Sequence, residues 1–174
     1  PAFSDLVQLD IARRVEGNRI PAPATWAEGR RGRLSPPGVL LAVAGAHLSG
    51  QPLNYQLTDR AARLLGPART AACYRLHALA TDPPKPGLRR VDAGGGPVAM
   101  EIWELPPVAF AEFVAAVPAP MVIGPVLLDD GTSVPGFLCE PVALSDAPDI
   151  TVYGGWLDYL AASTPAQDPA GTRS

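Results

Sequence analysis

Glycine and proline, 17 and 21 of 174 residues, divide this sequence into short apolar segments. Such a level approaches the composition of low-complexity disorder. Here, however, both residues fall between well-patterned apolar runs, so they read as turn punctuation in a folded domain. Residues 39–44, Val-Leu-Leu-Ala-Val-Ala, form a continuous apolar run stopped by Gly45, as in a strand buried on both faces.

Composition narrows the function classes. With 47% hydrophobic and 18% charged residues the chain has enough apolar surface for one core. A net charge of −3 gives no electrostatic footprint for nucleic acid or anionic lipid. No apolar run approaches the ~20 residues that cross a bilayer, and no secretory pattern opens the sequence, so the expected location is cytoplasmic. Cys73 and Cys139 lie in strand-like apolar segments and are expected as reduced core thiols, with a disulfide the alternative. No Cys/His cluster has zinc spacing, so neither metal nor cofactor is expected.

Residues 1–37 differ in character from the rest of the chain. Phe3, Leu6, Leu9, Ile11 and Ala12 suit an amphipathic helix over 2–15, with Ser4 at its N-cap. Residues 20–24 and the basic run Arg30-Arg31-Gly32-Arg33 up to Pro36-Pro37 read as an extended linker. The domain proper is expected over 38–163, and 164–174 as a disordered polar tail.

Within the domain, Asn54 is placed to cap a helix over 55–65, with Leu57, Ala61, Leu64 and Leu65 inward and Gly66-Pro67 as its stop. Residues 68–80 alternate as a half-buried strand, with Tyr74, Leu76 and Ala78 on one face and Cys73, Arg75 and His77 on the other. Residues 82–87 read as a loop. Segments 88–92 and 98–104 flank Gly94-Gly95-Gly96 as a hairpin. Pro106 starts a helix carrying Phe110, Phe113, Val114 and Val117. A second hairpin joins 121–128 to 133–140 through Asp129-Asp130-Gly131-Thr132, and Tyr153-Gly154-Gly155 turns into a helix over 156–162. The fold class is α+β, a mixed, mainly antiparallel sheet curled into a β-barrel with helices outside. His77 reads as structural, Trp103, Trp156, Phe110 and Phe113 as core, and Glu101 and Glu104 as a solvated face opposite Trp103, with Glu101 a pocket acid in the alternative that this face lines the barrel interior.

Five segments carry a resemblance. Leu41-Ala42-Val43-Ala44-Gly45-Ala46-His47-Leu48-Ser49-Gly50-Gln51-Pro52-Leu53-Asn54 is followed by Pro84-Lys85-Pro86-Gly87-Leu88, Glu101-Ile102-Trp103-Glu104-Leu105-Pro106 and Gly136-Phe137-Leu138-Cys139-Glu140. Asp149-Ile150-Thr151 with Gly154-Gly155-Trp156 closes the series. In this order they resemble the C-terminal domain of allophanate hydrolases, in the wider γ-glutamylcyclotransferase-like family, over residues 39–162. The opening residues 1–15 resemble the last helix of an amidase domain or the linker after it, and that domain's Ser-Ser-Lys machinery is not in the sequence.

The resemblance implies decarboxylation of the N-carboxycarbamate left by an amidase domain, on the way from allophanate to ammonia and CO₂. The implied partners are that small dianion, an amidase domain in cis or in trans, and further copies in a homo-oligomer. Losing CO₂ leaves a nitrogen that must take a proton, and His47 is the residue suited to supply it. Gly45, Ala46, Leu48, Ser49 and Gly50 form the expected anion-binding loop, with backbone N–H groups and the Ser49 hydroxyl as donors. Asn54, Tyr74 and Tyr153 are expected as further substrate contacts. Two alternatives stand beside this reading. One is a cyclotransferase acting on γ-glutamyl amines, although Ala44-Gly45-Ala46-His47 lacks that family's Tyr and residues 113–118 lack its Glu; Glu112 is not moved into that role. The other is a non-catalytic module that organises an amidase partner.

Overall fold

The computed structural model describes residues 37–164. The helix expected over 2–15, the linker up to Pro36 and the tail from 165 onward lie outside the described residues.

The apolar run forms β1 (Val39–Val43), buried along nearly its whole length because both flanks are covered by strands. On one side it pairs antiparallel with β5 (Ala99–Leu105), in the register Val39↔Leu105 to Val43↔Glu101. On the other it meets β7 (Ser133–Cys139) in parallel at Ala42↔Gly136. β6 (Met121–Leu127) and β7 are the hairpin expected from Asp129 to Thr132. β2 (Arg63–Arg69) covers the free edge of β5, giving the order β2-β5-β1-β7-β6.

This mixed, mainly antiparallel sheet does not close into the expected barrel. Its edge strands β2 and β6 approach each other through one isolated bridge, Thr70↔Leu128, just past their ends. β3 (Tyr74–Leu79) and β4 (Lys85–Arg90) pair with each other as a separate two-stranded ribbon, and β3 makes isolated bridges to Gly96 and Asp149 on its other side. That ribbon packs against β7 at Gly87, where a Cβ would stand 2.9 Å from Leu144 and 3.1 Å from Cys139. Leu41, Val43, Leu57, Tyr74, Leu76 and Ile102 are almost fully buried between the layers.

Three local expectations are corrected. The helix over 55–65 is one turn, α1 (Tyr55–Thr58), and Asn54 makes no capping side-chain bond. Leu64 and Leu65 lie in β2 instead, with Gly66-Pro67 inside the strand beside a register shift. A strand-edge position tolerates Pro67 because no ladder bond is lost on the solvent side. The alternating stretch 68–80 is broken after Arg69, so its two halves join different sheets. The Gly94-Gly95-Gly96 hairpin does not form: β4 turns back on β3 around the Asp82-Pro83-Pro84 loop, and the glycines carry the chain across to β5. Gly95 is needed there, since a Cβ would sit 2.7 Å from the Tyr74 amide nitrogen.

The remaining helices match expectation. α2 (Pro107–Ala115) starts after Pro106 and buries Phe113, and α3 (Trp156–Ser163) buries Trp156. Both cysteines are free thiols. Trp103 is buried as expected, but Glu101 and Glu104 do not share the face opposite it. With a period of two, Glu101 and Trp103 point the same way, and Trp103 Nε1–H donates to Glu101 Oε2 at 3.0 Å. Glu104 is buried rather than solvated, and its Oε2 pairs with Arg63 at 2.8 Å.

Candidate functional site

The register of β1 against β5 places the end of β1 beside Glu101. The chain then folds back on itself: Leu48 N–H donates to Gly45 O at 2.9 Å and Leu53 N–H to Ala46 O at 2.8 Å. Gly45 is required by close approach rather than by backbone angle. A Cβ there would lie 2.3 Å from Cδ of Pro86, a rigid ring at the start of β4 that cannot yield. The glycine thus lets the ribbon close down on the loop.

His47 projects from this loop into a sandwich of aromatic rings. Its imidazole stacks on Phe137 of β7, with centroids 4.8 Å apart and planes at 14°, and meets the edge of Phe113 of α2 at 5.4 Å. Asn54 Nδ2–H donates to the His47 carbonyl at 2.9 Å, fixing the backbone beneath the ring. Nε2 lies 3.1 Å from Gln56 Oε1 in α1, while the Gln56 amide nitrogen points toward the Tyr55 hydroxyl at 3.5 Å. With the amide oxygen turned to the ring, Nε2 carries the proton and Nδ1 the lone pair. Burial holds the His47 pKa below its ordinary 6.5; the Gln56 bond raises it in part, and the positive charge of Lys85 lowers it further.

Around this ring the protein forms a half-open cavity of about 390 Å³. Gly45, Ala46 and His47 line it from the loop, and Tyr55, Gln56 and Arg60 from α1 and the turn after it. Lys85 and Pro86 contribute from β4, and Phe113, Met121 and Phe137 from α2, β6 and β7. Two cations and no carboxylate stand among the described lining residues. Arg60 is held by a bond from Nη1–H to Gln56 O at 2.9 Å and by the Phe113 ring, whose centroid is 5.9 Å from Cζ. Its Nε is buried with no hydrogen-bond partner among the described residues. The amides of Ala46 and His47 likewise donate to nothing among the described residues.

The residues expected at the site separate into two groups. Gly45, Ala46 and His47 meet at the cavity, and Asn54 supports His47 from behind it. Leu48 is core, Gly50 is exposed, and Ser49 points away, its amide and hydroxyl both bonded to Glu101. Tyr74 is wholly buried, with its hydroxyl accepting Leu127 N–H at 2.8 Å. Tyr153 is 41% exposed and packs on Tyr159, outside the cavity lining. His77, read as structural, is buried with Nδ1 3.1 Å from Ala147 O.

Sequence reasoning missed Gln56, Arg60, Lys85 and Phe137. Two of them stand inside segments that carry the family resemblance, Lys85 in Pro84-Lys85-Pro86-Gly87-Leu88 and Phe137 in Gly136-Phe137-Leu138-Cys139-Glu140. Arg60 carried no such signal, because its approach depends on the chain leaving α1 after one turn.

Residues 39–161 match the family described as the allophanate hydrolase C-terminal domain. A urea amidolyase of Saccharomyces cerevisiae is 40% identical over 177 residues, covering 91% of this chain and 10% of that protein. The structure of Kluyveromyces lactis allophanate hydrolase superposes with a TM-score of 0.70 at 41% identity, over 73% of this chain and 22% of that one. A uropathogenic E. coli-specific protein superposes with a TM-score of 0.66 at 36% identity, over 71% of this chain and 95% of its own length. The chain spans about a tenth of the length of the curated relatives it matches. With the family match covering most of its length, this chain belongs to the allophanate hydrolase C-terminal domain family.

Proposed function

We propose that this domain decarboxylates N-carboxycarbamate, the dianion that an amidase domain leaves on releasing ammonia from allophanate. The observation that carries the reading is the cavity's charge. Arg60, Lys85, and Ala46 and His47 with their undonated amides line the same cavity as the imidazole, with no carboxylate among the described lining residues. Such a lining suits a small dianion. It does not suit the cyclotransferase alternative, which needs a pocket acid; Glu112 sits exposed on α2, outside the lining. The relatives named urea amidolyase and allophanate hydrolase support the same choice.

The chemistry starts from His47. Before substrate arrives, its depressed pKa keeps the imidazole neutral at neutral pH. An arriving dianion adds negative charge beside the ring, which raises that pKa and draws a proton onto Nδ1. As the C–N bond breaks, its electron pair stays on nitrogen and CO₂ departs. Nδ1–H delivers the proton to that nitrogen, giving carbamate, and solvent reprotonates His47 for the next cycle. Carbamate then breaks down to ammonia and CO₂. Phe113 and Phe137 keep water off the ring, which strengthens each charge interaction inside. In this reading an amidase domain is the partner that supplies substrate, in cis or in trans.

The test is ammonia release from allophanate by an amidase domain alone, with this chain added, and with His47→Ala added. The expected result is faster appearance of the second ammonia with the unaltered chain only, by about 10²–10⁴-fold over the variant. Equal time courses in all three would sink the reading.

A further inference from the structure

We propose that the cavity also accepts dicarboxylates bearing an apolar substituent on the atom between their carboxylates, with 2-alkylmalonates as the chemical class. The inference rests on the dianion reading above and extends it to the rest of the cavity. N-carboxycarbamate has seven heavy atoms and displaces roughly four or five waters, or about 120–150 Å³ at ~30 Å³ each. The cavity measures about 390 Å³, so well over half of it is left. That volume is in the range of sites that hold drug-sized ligands, roughly 300–1,000 Å³.

The lining of the remainder is not built for water. The groups able to hold the carboxylates come from the loop, from α1 and its following turn, and from the first residue of β4. Leu76 and Leu88, cross-strand neighbours on the ribbon, line the cavity together with Val117 from the α2–β6 connection and Met121 at the start of β6. Among these four the only side-chain hydrogen-bonding group is the weak thioether acceptor of Met121, and a held water needs two to four polar partners. An alkyl chain on the central atom therefore replaces poorly held water without disturbing the carboxylates.

The experiment is calorimetric titration of the 174-residue chain with malonate, methylmalonate, ethylmalonate and butylmalonate, with butyrate as the monoanionic control. Affinity is expected to rise by about fourfold per methylene along the series, the value of ~0.8 kcal/mol per buried CH₂. Butyrate is expected to bind far more weakly than butylmalonate. Malonate binding with no gain, or a loss, on lengthening overturns this inference and leaves the dianion reading standing. Failure of malonate to bind, or butyrate matching butylmalonate, overturns the dianion reading and this inference with it. Val117→Trp, checked for folding by circular dichroism, is expected to bring the butylmalonate-to-malonate affinity ratio toward one. A ratio unchanged in that variant places the alkyl chain elsewhere and overturns the assignment.

Discussion

Ser49 gives both its donors to one oxygen of Glu101: the backbone N–H at 2.9 Å and the hydroxyl at 3.0 Å. Trp103 Nε1–H reaches the same oxygen at 3.0 Å. The loop after β1 does bind a carboxylate, therefore, but at Ser49 that carboxylate is the protein's own. It ties the outer end of the loop to β5 and leaves the inner end, at Ala46 and His47, facing the cavity.

Replacing Glu101 with Ala releases three donors at once. The two Ser49 donors are exposed and regain water, while the part-buried Trp103 Nε1–H is left short of a partner, so the expected loss is about 1–2 kcal/mol rather than the sum of three buried bonds. Urea unfolding of the variant against the unaltered chain measures it, and a loss below about 0.3 kcal/mol means the tie is idle.

Gly45→Ala tests the contact between loop and ribbon. Its Cβ would overlap Pro86 Cδ and Cγ at 2.3 and 2.4 Å, and neither ring nor β1 has slack. Overpacking of this kind costs about 1–3 kcal/mol. Thermal unfolding is expected to show the loss, accompanied by weaker malonate binding because β4 carries Lys85. Full stability together with full binding would show that the ribbon moves freely.

Sequence made the centre of the sheet readable and left the rim of the site obscure. The run 39–44 identified β1 because a strand buried on both sides has an unbroken apolar signature, and the Asp129–Thr132 turn identified β6 and β7. Periodicity failed at 55–65, where Leu57, Ala61 and Leu64 match a helical stripe, yet tertiary pairing with β5 takes Leu64 into β2. It failed again at Gly94-Gly95-Gly96, since a glycine run signals a sharp change of direction but not which strand receives the chain. Arg60 and Lys85 are far apart in sequence and become neighbours of His47 only through those two misjudged connections.

The depressed pKa of His47 carries a pH signature. Burial, the largest cause, disfavours the charged ring in the folded state, so the unfolded chain binds a proton more readily. His47 thus costs nothing above its unfolded value near 6.5, and stability falls as pH drops from there toward the folded value. The expected outcome is a smaller loss between pH 7.5 and pH 5 in His47→Gln than in the unaltered chain, read from paired denaturant titrations. An identical pH dependence in both proteins contradicts the burial argument.

Lys85→Met separates the two remaining influences on that ring. The positive charge of Lys85 lowers the His47 pKa, so its removal shifts the titration upward, toward 6.5. NMR titration of the imidazole reads the shift directly. The same variant is expected to weaken malonate binding by about tenfold, as loss of one charge-assisted partner costs roughly 1.5 kcal/mol. A downward shift would mean that Lys85 acts on His47 through packing rather than charge.

Tyr74→Phe distinguishes a structural tyrosine from a binding one. The hydroxyl accepts Leu127 N–H at 2.8 Å in a wholly buried position and joins the ribbon to β6. Phenylalanine keeps the ring and strands that amide, for which the expected penalty is about 1–3 kcal/mol. Because Tyr74 contributes nothing to the cavity lining, malonate affinity at a temperature where both proteins are folded should stay within about twofold. Stability loss with intact affinity supports the structural role. Unchanged stability with lost affinity would return Tyr74 to the site, as the sequence alone implies, and would require the ribbon to sit differently against β6.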